Sequence, residues 1–488
     1  MTVTAGTAAP RHTVLHGLTW NYAGSAAAMA VQLGCTAITA RLLDPAAFGA
    51  YAAASSVTVL LGYLANSGPA TCVLRAERLT APLLRSTLAL AALAGLACCL
   101  AAQLAVPVLN SLWNSPQTAG MLQILALQFL VQPAALVAVA ALRRAGLPGA
   151  AVRAELGGQI GGSALGLSLL LAGWTPYAIA AVLPLGAALT ALAAARPLRR
   201  AQLPPGEGVS TRELLATSTF FTGYGLVQSA TNNAPLWLAA TTLGATATGH
   251  YSRAALLTGI PLTVLAQGLN RAVTPTLAAA RVPPQAVYDV LCAASAAGLI
   301  GLGALAGAGP ALLLLLLGPA WTQAAQLVPV LAAGAACAML CSTGNSVDTV
   351  RKDTGALLRT QLTAIAAAAA TLAAAWTRAD LALIAAATLT APLAGHALQL
   401  AHWHRTRTVA VGRLLGAHAV HAALGTALAV VARLATHGRL TSAAALLISV
   451  GALCTHFRDH VPLLAMARTR RARPGAPTGT HSHPHPHP

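Results

Sequence analysis

The chain has 488 residues, 56% of them hydrophobic and only 8% charged, with 29 basic against 10 acidic side chains, and its mean hydropathy is +0.68. Globular chains typically carry about 25% charged residues. A water-soluble core cannot hide this much apolar surface, so a soluble enzyme is excluded. The basic excess does not indicate nucleic acid either, because the charges are scattered between apolar segments and form no clustered basic face.

A bilayer crossing needs about 20 apolar residues. The polar segment 1–16 is expected to be cytoplasmic and not to act as a cleavable signal peptide, and after it such runs predict fourteen crossings. They fall at 17–40, 46–73, 86–109, 119–142, 151–172, 176–195, 214–242, 248–272, 287–308, 323–347, 356–376, 379–401, 414–435 and 441–465. Pro310–Leu317 is a further apolar run, too short to span, and reads as an interfacial piece before the turn Gly318-Pro319-Ala320-Trp321. All eight Cys fall within apolar segments, where Cys packs as a small hydrophobe. The tail 467–488 ends in HSHPHPHP and is expected to be disordered. No metal or other cofactor is expected.

Charge placement tests the helix count. With the N-terminus cytoplasmic, 24 basic residues face the cytoplasm, and only Arg41, Arg253, Arg378, Arg433 and Arg439 lie outside. A wrong count would scramble this positive-inside bias. Both termini are therefore expected on the cytoplasmic side.

The chain also repeats itself. Leu43, Gly49 and Tyr51, at the turn from the first crossing to the second, share their spacing with Leu243, Gly249 and Tyr251, between the seventh and eighth. Asp44 and Pro45 suit a helix start, and Tyr51 suits the headgroup level. An offset of six crossings preserves orientation and predicts parallel repeats. The expected fold is an all-α polytopic membrane protein of about fourteen transmembrane helices. Its parts are an N-terminal lobe (17–195), a cytoplasmic linker (196–213), a pseudo-symmetric C-terminal lobe (214–402), each lobe of six helices, and two extra C-terminal helices (403–466).

Three stretches carry a family resemblance: Ala40-Arg41-Leu42-Leu43-Asp44-Pro45 with Phe48, Gly49 and Tyr51; Leu243-Gly244 with Gly249 and Tyr251; and Leu317-Gly318-Pro319 with Trp321. With them the chain resembles the polysaccharide-flippase branch of the multidrug/oligosaccharidyl-lipid/polysaccharide exporter superfamily. The resemblance implies a two-lobed transporter that moves polyprenyl-diphosphate-linked sugars outward across a bacterial cytoplasmic membrane by alternating access. It also implies membrane lipids and glycan polymerases or glycosyltransferases of the same pathway as partners. Similar proteins often carry an acidic residue where this chain has Pro235, which puts an ion site there in doubt.

All ten acidic residues lie in loops or near span ends. Cation-coupled exporters of the same superfamily place carboxylates within the membrane, so the alternative of a drug or small-molecule exporter is disfavoured. A glycan polymerase or ligase is less favoured still, since the outer loops are short. No phosphate loop of the nucleotide-binding type is present.

A diphosphate is matched by arginine, whose planar fork stays charged. Arg41 and Arg253 at outer span ends are the first candidates, with Arg75 and Arg271 as an inner counterpart; the competing reading is that such arginines reach for the interface. Gln32, Gln228, Asn232, Asn233 and Gln267 could line a sugar-binding cavity, against the competing reading of interhelical hydrogen bonds.

Overall fold

A computed structural model describes residues 11–66, 69–76, 79–201, 204, 211–277, 284–436 and 438. Every regular element among the described residues is a helix. In chain order these are α1 (Arg11–Leu42), α2 (Pro45–Asn66), α3 (Pro69–Arg75), α4 (Ala81–Trp113), α5 (Pro116–Ala126), α6 (Gln132–Arg144), α7 (Pro148–Leu171), α8 (Ala178–Arg200), α9 (Thr211–Thr242) and α10 (Gly244–Leu277). They continue with α11 (Pro284–Ser295), α12 (Gly303–Leu317), α13 (Thr322–Val350), α14 (Thr354–Arg378), α15 (Leu381–Thr406) and α16 (Val411–Thr436). A 3₁₀ segment, Leu127–Leu130, joins α5 to α6, and a π-helical segment, Ala296–Leu302, joins α11 to α12.

These helices coincide with the first thirteen predicted crossings. The fourteenth, at 441–465, and the tail lie outside the described residues. Among the described residues, nine helical stretches are long and apolar enough to cross a membrane by length and composition alone. One expectation is corrected. Pro310–Leu317 is not a separate interfacial piece but the end of one helical stretch, Pro284–Leu317, with Pro310 inside α12. Neighbouring groups can re-satisfy the backbone freed by such a proline in a membrane helix.

Polar residues at the span ends have a local reason to be there. The carboxylates of Asp44, Asp353 and Asp380 accept the backbone N–H groups of Ala47, Ala356 and Ala382 at 2.9, 2.9 and 2.8 Å. Each satisfies an orphan donor at the start of a helix and complements its positive end.

The chain forms two compact units. The first comprises Met1–Ile260, Pro310–Val328 and Ile365–Thr388; the second comprises Pro261–Gly309, Pro329–Ala364 and Leu389–Pro488. Three of the divisions fall at prolines inside helices, at Pro261, Pro310 and Pro329.

In the first unit, α7 and α8 pack along a seam where Gly158, Gly162 and Gly166 meet Val182, Gly186 and Thr190, the small-residue contact by which membrane helices approach closely. Ala50, Ala54, Met121, Leu122, Leu125 and Ile179 form a buried cluster between α2, α5 and α8. In the second unit α16 packs on α11 and the π-helical segment. Its core includes Val287, Leu291, Val347, Trp403 and Leu414.

Candidate substrate site

The site grows from the turn between α1 and α2 in the first unit. Leu43 N–H closes the end of α1 on the Thr39 carbonyl at 2.9 Å, and Pro45 opens α2 with Asp44 as its cap. The start of α2 then lies directly against the start of α10. A Cβ on Gly49 would overlap the Ala245 carbonyl, and a Cβ on Gly249 would overlap the Pro45 carbonyl. Each contact becomes the other when 200 is added or subtracted. That exchange is how a two-fold or pseudo-two-fold contact behaves, and only glycine leaves room for it. The ring of Tyr51 packs, partly buried, on the cluster around Met121 and Leu122, and Tyr251 is buried.

Trp321 ties this crossing to the turn after α12. Gly318 takes φ 99°, a left-handed conformation that glycine adopts without Cβ strain, and the chain doubles back to bury Trp321 completely. Its indole N–H donates to the Ala40 carbonyl at 3.2 Å. The ring stands edge-on to Phe48 and His250, with centroids 5.4 and 5.7 Å apart. The three sequence stretches that carry the family resemblance thus meet around one tryptophan. Spacing along the chain does not show that meeting.

Arg41 and Arg253 both lie against α12. Arg41 is exposed, and its Nη2 and Nε donate to the carbonyls of Leu315 and Leu316 at 2.8 and 3.3 Å. It satisfies two of the orphan acceptors at the helix end and complements its negative pole. Arg253 is half-buried, with its guanidinium 4.7 Å from the Phe48 ring centroid and its Nε donating to the Ser252 hydroxyl at 3.4 Å. Among the described residues no carboxylate stands within ion-pair distance of Arg253; the two pairs there are Arg143–Glu155 and His402–Asp353. Arg253 faces a narrow apolar cleft formed by Leu33, Leu256, Leu257, Leu313 and Leu316. The cation–π contact partly replaces a counter-ion, and the guanidinium keeps donors for an anionic guest.

The other candidates are not gathered there. Arg75 lies on α3, and Gln267 and Arg271 on α10, but their side chains lie outside the described residues. Gln32 is exposed on α1. Gln228 donates to Asn232 at 3.1 Å one turn along α9, and Asn233 donates to the Ser229 carbonyl at 2.9 Å. The polar contact between α9 and α2 is made instead by Trp237, whose N–H donates to the Ser56 hydroxyl at 2.7 Å. Sequence reasoning missed Phe48 and Trp321 as site residues, although both stood in the quoted stretches.

Comparisons with known proteins give the family and the fold. A family model described as "Polysaccharide biosynthesis protein" matches residues 38–326, more than half of the chain. The fold is similar to that of the lipid II flippase MurJ in an inward closed conformation, with a TM-score of 0.68 at 11% identity, covering 91% of this chain and 99% of that one. A MOP superfamily transporter from Pyrococcus furiosus gives a TM-score of 0.53 at 15% identity, covering 82% of this chain and 96% of the other. An inward-facing multidrug resistance MATE transporter of that superfamily gives 0.51 at 15% identity, with 81% and 95% covered. No curated protein sequence matches the chain. The chain is a multi-pass membrane protein with the fold of flippases and exporters.

Proposed function

Because the chain belongs to the polysaccharide biosynthesis protein family, we propose that it is a flippase carrying a polyprenyl-diphosphate-linked oligosaccharide, or a related cell-envelope precursor, outward across the cytoplasmic membrane. Both termini are cytoplasmic in this reading, and the lobes 17–195 and 214–402 rock to alternate access. No bond is made or broken, so the protein is a transporter and not an enzyme. Glycan polymerases or glycosyltransferases of the same pathway would work beside it.

One observation carries the proposal: a half-buried arginine with no carboxylate partner among the described residues, over Phe48 and beside an apolar cleft. A lipid diphosphate needs both halves of that arrangement. Arg253 binds a phosphate oxygen with charge-assisted hydrogen bonds, while the isoprenoid chain stays against Leu33, Leu256 and Leu313. Arg41 joins Arg253 by exchanging a carbonyl of α12 for a second phosphate oxygen. Arg75 and Arg271 serve the inward-facing state, and Gln32, Gln228, Asn232, Asn233 and Gln267 contribute sugar contacts.

Native mass spectrometry of the gently purified protein tests this reading. A bound polyprenyl-diphosphate sugar, lost in the Arg41→Ala/Arg253→Ala variant with membrane insertion intact, is the expected result. Bulk phospholipid alone in repeated preparations, or equal retention of the glycan lipid by the variant, would overturn it.

A further inference from the structure

The second unit contains a line of histidines that the transport site does not use. His421 and His418 on α16 both place Nδ1 on the Ser295 hydroxyl, at 2.9 and 2.7 Å. His418 Nε2 lies 3.3 Å from His396 Nε2 on α15, and His396 Nδ1 lies 3.1 Å from Gln399 Oε1. The Gln399 amide nitrogen donates to the Cys341 carbonyl at 3.1 Å and to Asn345 Oδ1 at 2.9 Å.

With neutral rings, these contacts assign the protons shared along the line. The Cys341 carbonyl can only accept, so the nitrogen of Gln399 must face it and Oε1 must accept from His396. His396 therefore carries its proton on Nδ1 and accepts at Nε2. His418 must then donate from Nε2 and accept at Nδ1 from the Ser295 hydroxyl, which in turn accepts from His421 Nδ1–H. All hydrogen bonds run one way, from His421 to Gln399.

We propose that the line His421–Ser295–His418–His396 is a proton relay that takes up one proton and delivers it to the far end. The step balances. A proton arriving at His421 Nε2 lets His421 release Nδ1–H to Ser295 and Ser295 pass its own proton to His418 Nδ1. His418 then passes Nε2–H to His396 Nε2, and His396 becomes the imidazolium. Afterwards His418 holds its proton on Nδ1, His421 holds its proton on Nε2, and the hydrogen bonds between His421 and His396 all point the other way.

Two further observations support the assignment. The backbone turns π-helical immediately after Ser295, and such local widening of a helix is frequent at functional sites. Asp348, one turn beyond Asn345 on α13, is 1% exposed. It accepts the Trp403 indole N–H at 2.8 Å on one oxygen, and its other oxygen has no hydrogen-bond partner among the described residues. The Trp403 ring that donates to this carboxylate stands edge-on to His396, with centroids 6.1 Å apart, and so links the buried acid to the receiving end of the line. The other titratable and charged groups on the helices packed here are Cys337 and Cys341 on α13, Tyr288, Asp289 and Cys292 on α11, His402, His404 and Arg405 on α15, and Arg413 and Arg433 on α16. Ionisable residues within membrane helices commonly mark proton pathways. The coupling of this relay to export rests on the transport reading above; the relay itself does not.

Nitrogen-15 NMR of histidine-labelled full-length protein in nanodiscs tests the relay, because ring nitrogen shifts report which nitrogen holds the proton. His396→Gln, His418→Gln and His421→Gln assign the signals. Above the titration His396 and His421 are expected as Nδ1–H and His418 as Nε2–H. Below it, His396 is doubly protonated and the other two have exchanged nitrogens together. Ser295→Ala should leave the His421 tautomer unchanged while His418 and His396 still titrate. Tautomers that stay fixed until the protein unfolds, or a His421 that switches equally well without Ser295, would overturn the relay. In proteoliposomes, stimulation of glycan-lipid export by a proton gradient should fall about tenfold in His418→Gln and be unchanged in His402→Gln. A relay that passes the NMR test in a protein that moves no glycan lipid would overturn the transport reading alone.

Discussion

Gly49 and Gly249 occupy each other's missing side-chain space: a Cβ on either would overlap a carbonyl presented by the helix of the other. The two residues are equivalent positions of the sequence repeat. The tightest part of the pseudo-symmetric contact is thus built from the motif residues themselves.

Gly249→Ala or Gly49→Ala should therefore lower stability by about 1–3 kcal/mol, the usual cost of overpacking. Thermal unfolding of the purified protein checks this. Gly34→Ala is the control, because a Cβ there meets nothing within 4 Å and alanine favours the helix.

Trp321→Ala should cost about 3–5 kcal/mol through the cavity it leaves. Trp321→Phe keeps most of the ring but leaves the Ala40 carbonyl without its indole donor. A smaller loss, of about 1 kcal/mol, is expected for that variant in the same unfolding measurement.

Arg253→Ala should reduce export about 10- to 100-fold, the range expected for one or two charge-assisted hydrogen bonds. Arg253→Lys should recover only part of it, since a compact ammonium lacks the planar fork that also lies over Phe48. Arg41→Ala should affect stability as well as export, because it releases two carbonyls of α12. Export assays paired with unfolding curves separate the two arginines.

The turn into α14 should be acid-sensitive. The Ala356 N–H holds the Asp353 carboxyl below its ordinary value of 3.8, helped by the hydrogen bond from His402. A carboxyl depressed in the folded state stabilises it fully above the unfolded value, and the contribution is lost as pH falls through the folded one. Hydrogen exchange at the start of α14 should rise between about pH 4 and pH 2. Asp353→Asn keeps a capping acceptor but should abolish that dependence.

Much of the fold was legible because the bilayer imposes simple rules. Apolar length located the helices, and the arginine bias is the basis of the proposed orientation. The misreading of Pro310–Leu317 has a physical cause: a π-helical segment and an internal proline do not interrupt an apolar helix in a membrane, although both look like breaks in the sequence. Arg41 and Arg253 were singled out by charge and position, but nothing in their spacing indicated that one would cap α12 and the other lie over Phe48. The histidine line was invisible because its members come from α11, α15 and α16, with Ser295 more than 100 residues from the rings it joins. Each is polar in an apolar run, and only three-dimensional contact makes them a chain.

The most direct measurement is translocation of a fluorescent polyprenyl-diphosphate oligosaccharide by the purified protein in liposomes, read by quenching from outside. Movement that is abolished in Arg41→Ala/Arg253→Ala, with the variant folded and inserted, is the expected result. No translocation by the intact protein, or undiminished translocation by the double variant, would contradict a flippase that holds its cargo through those arginines.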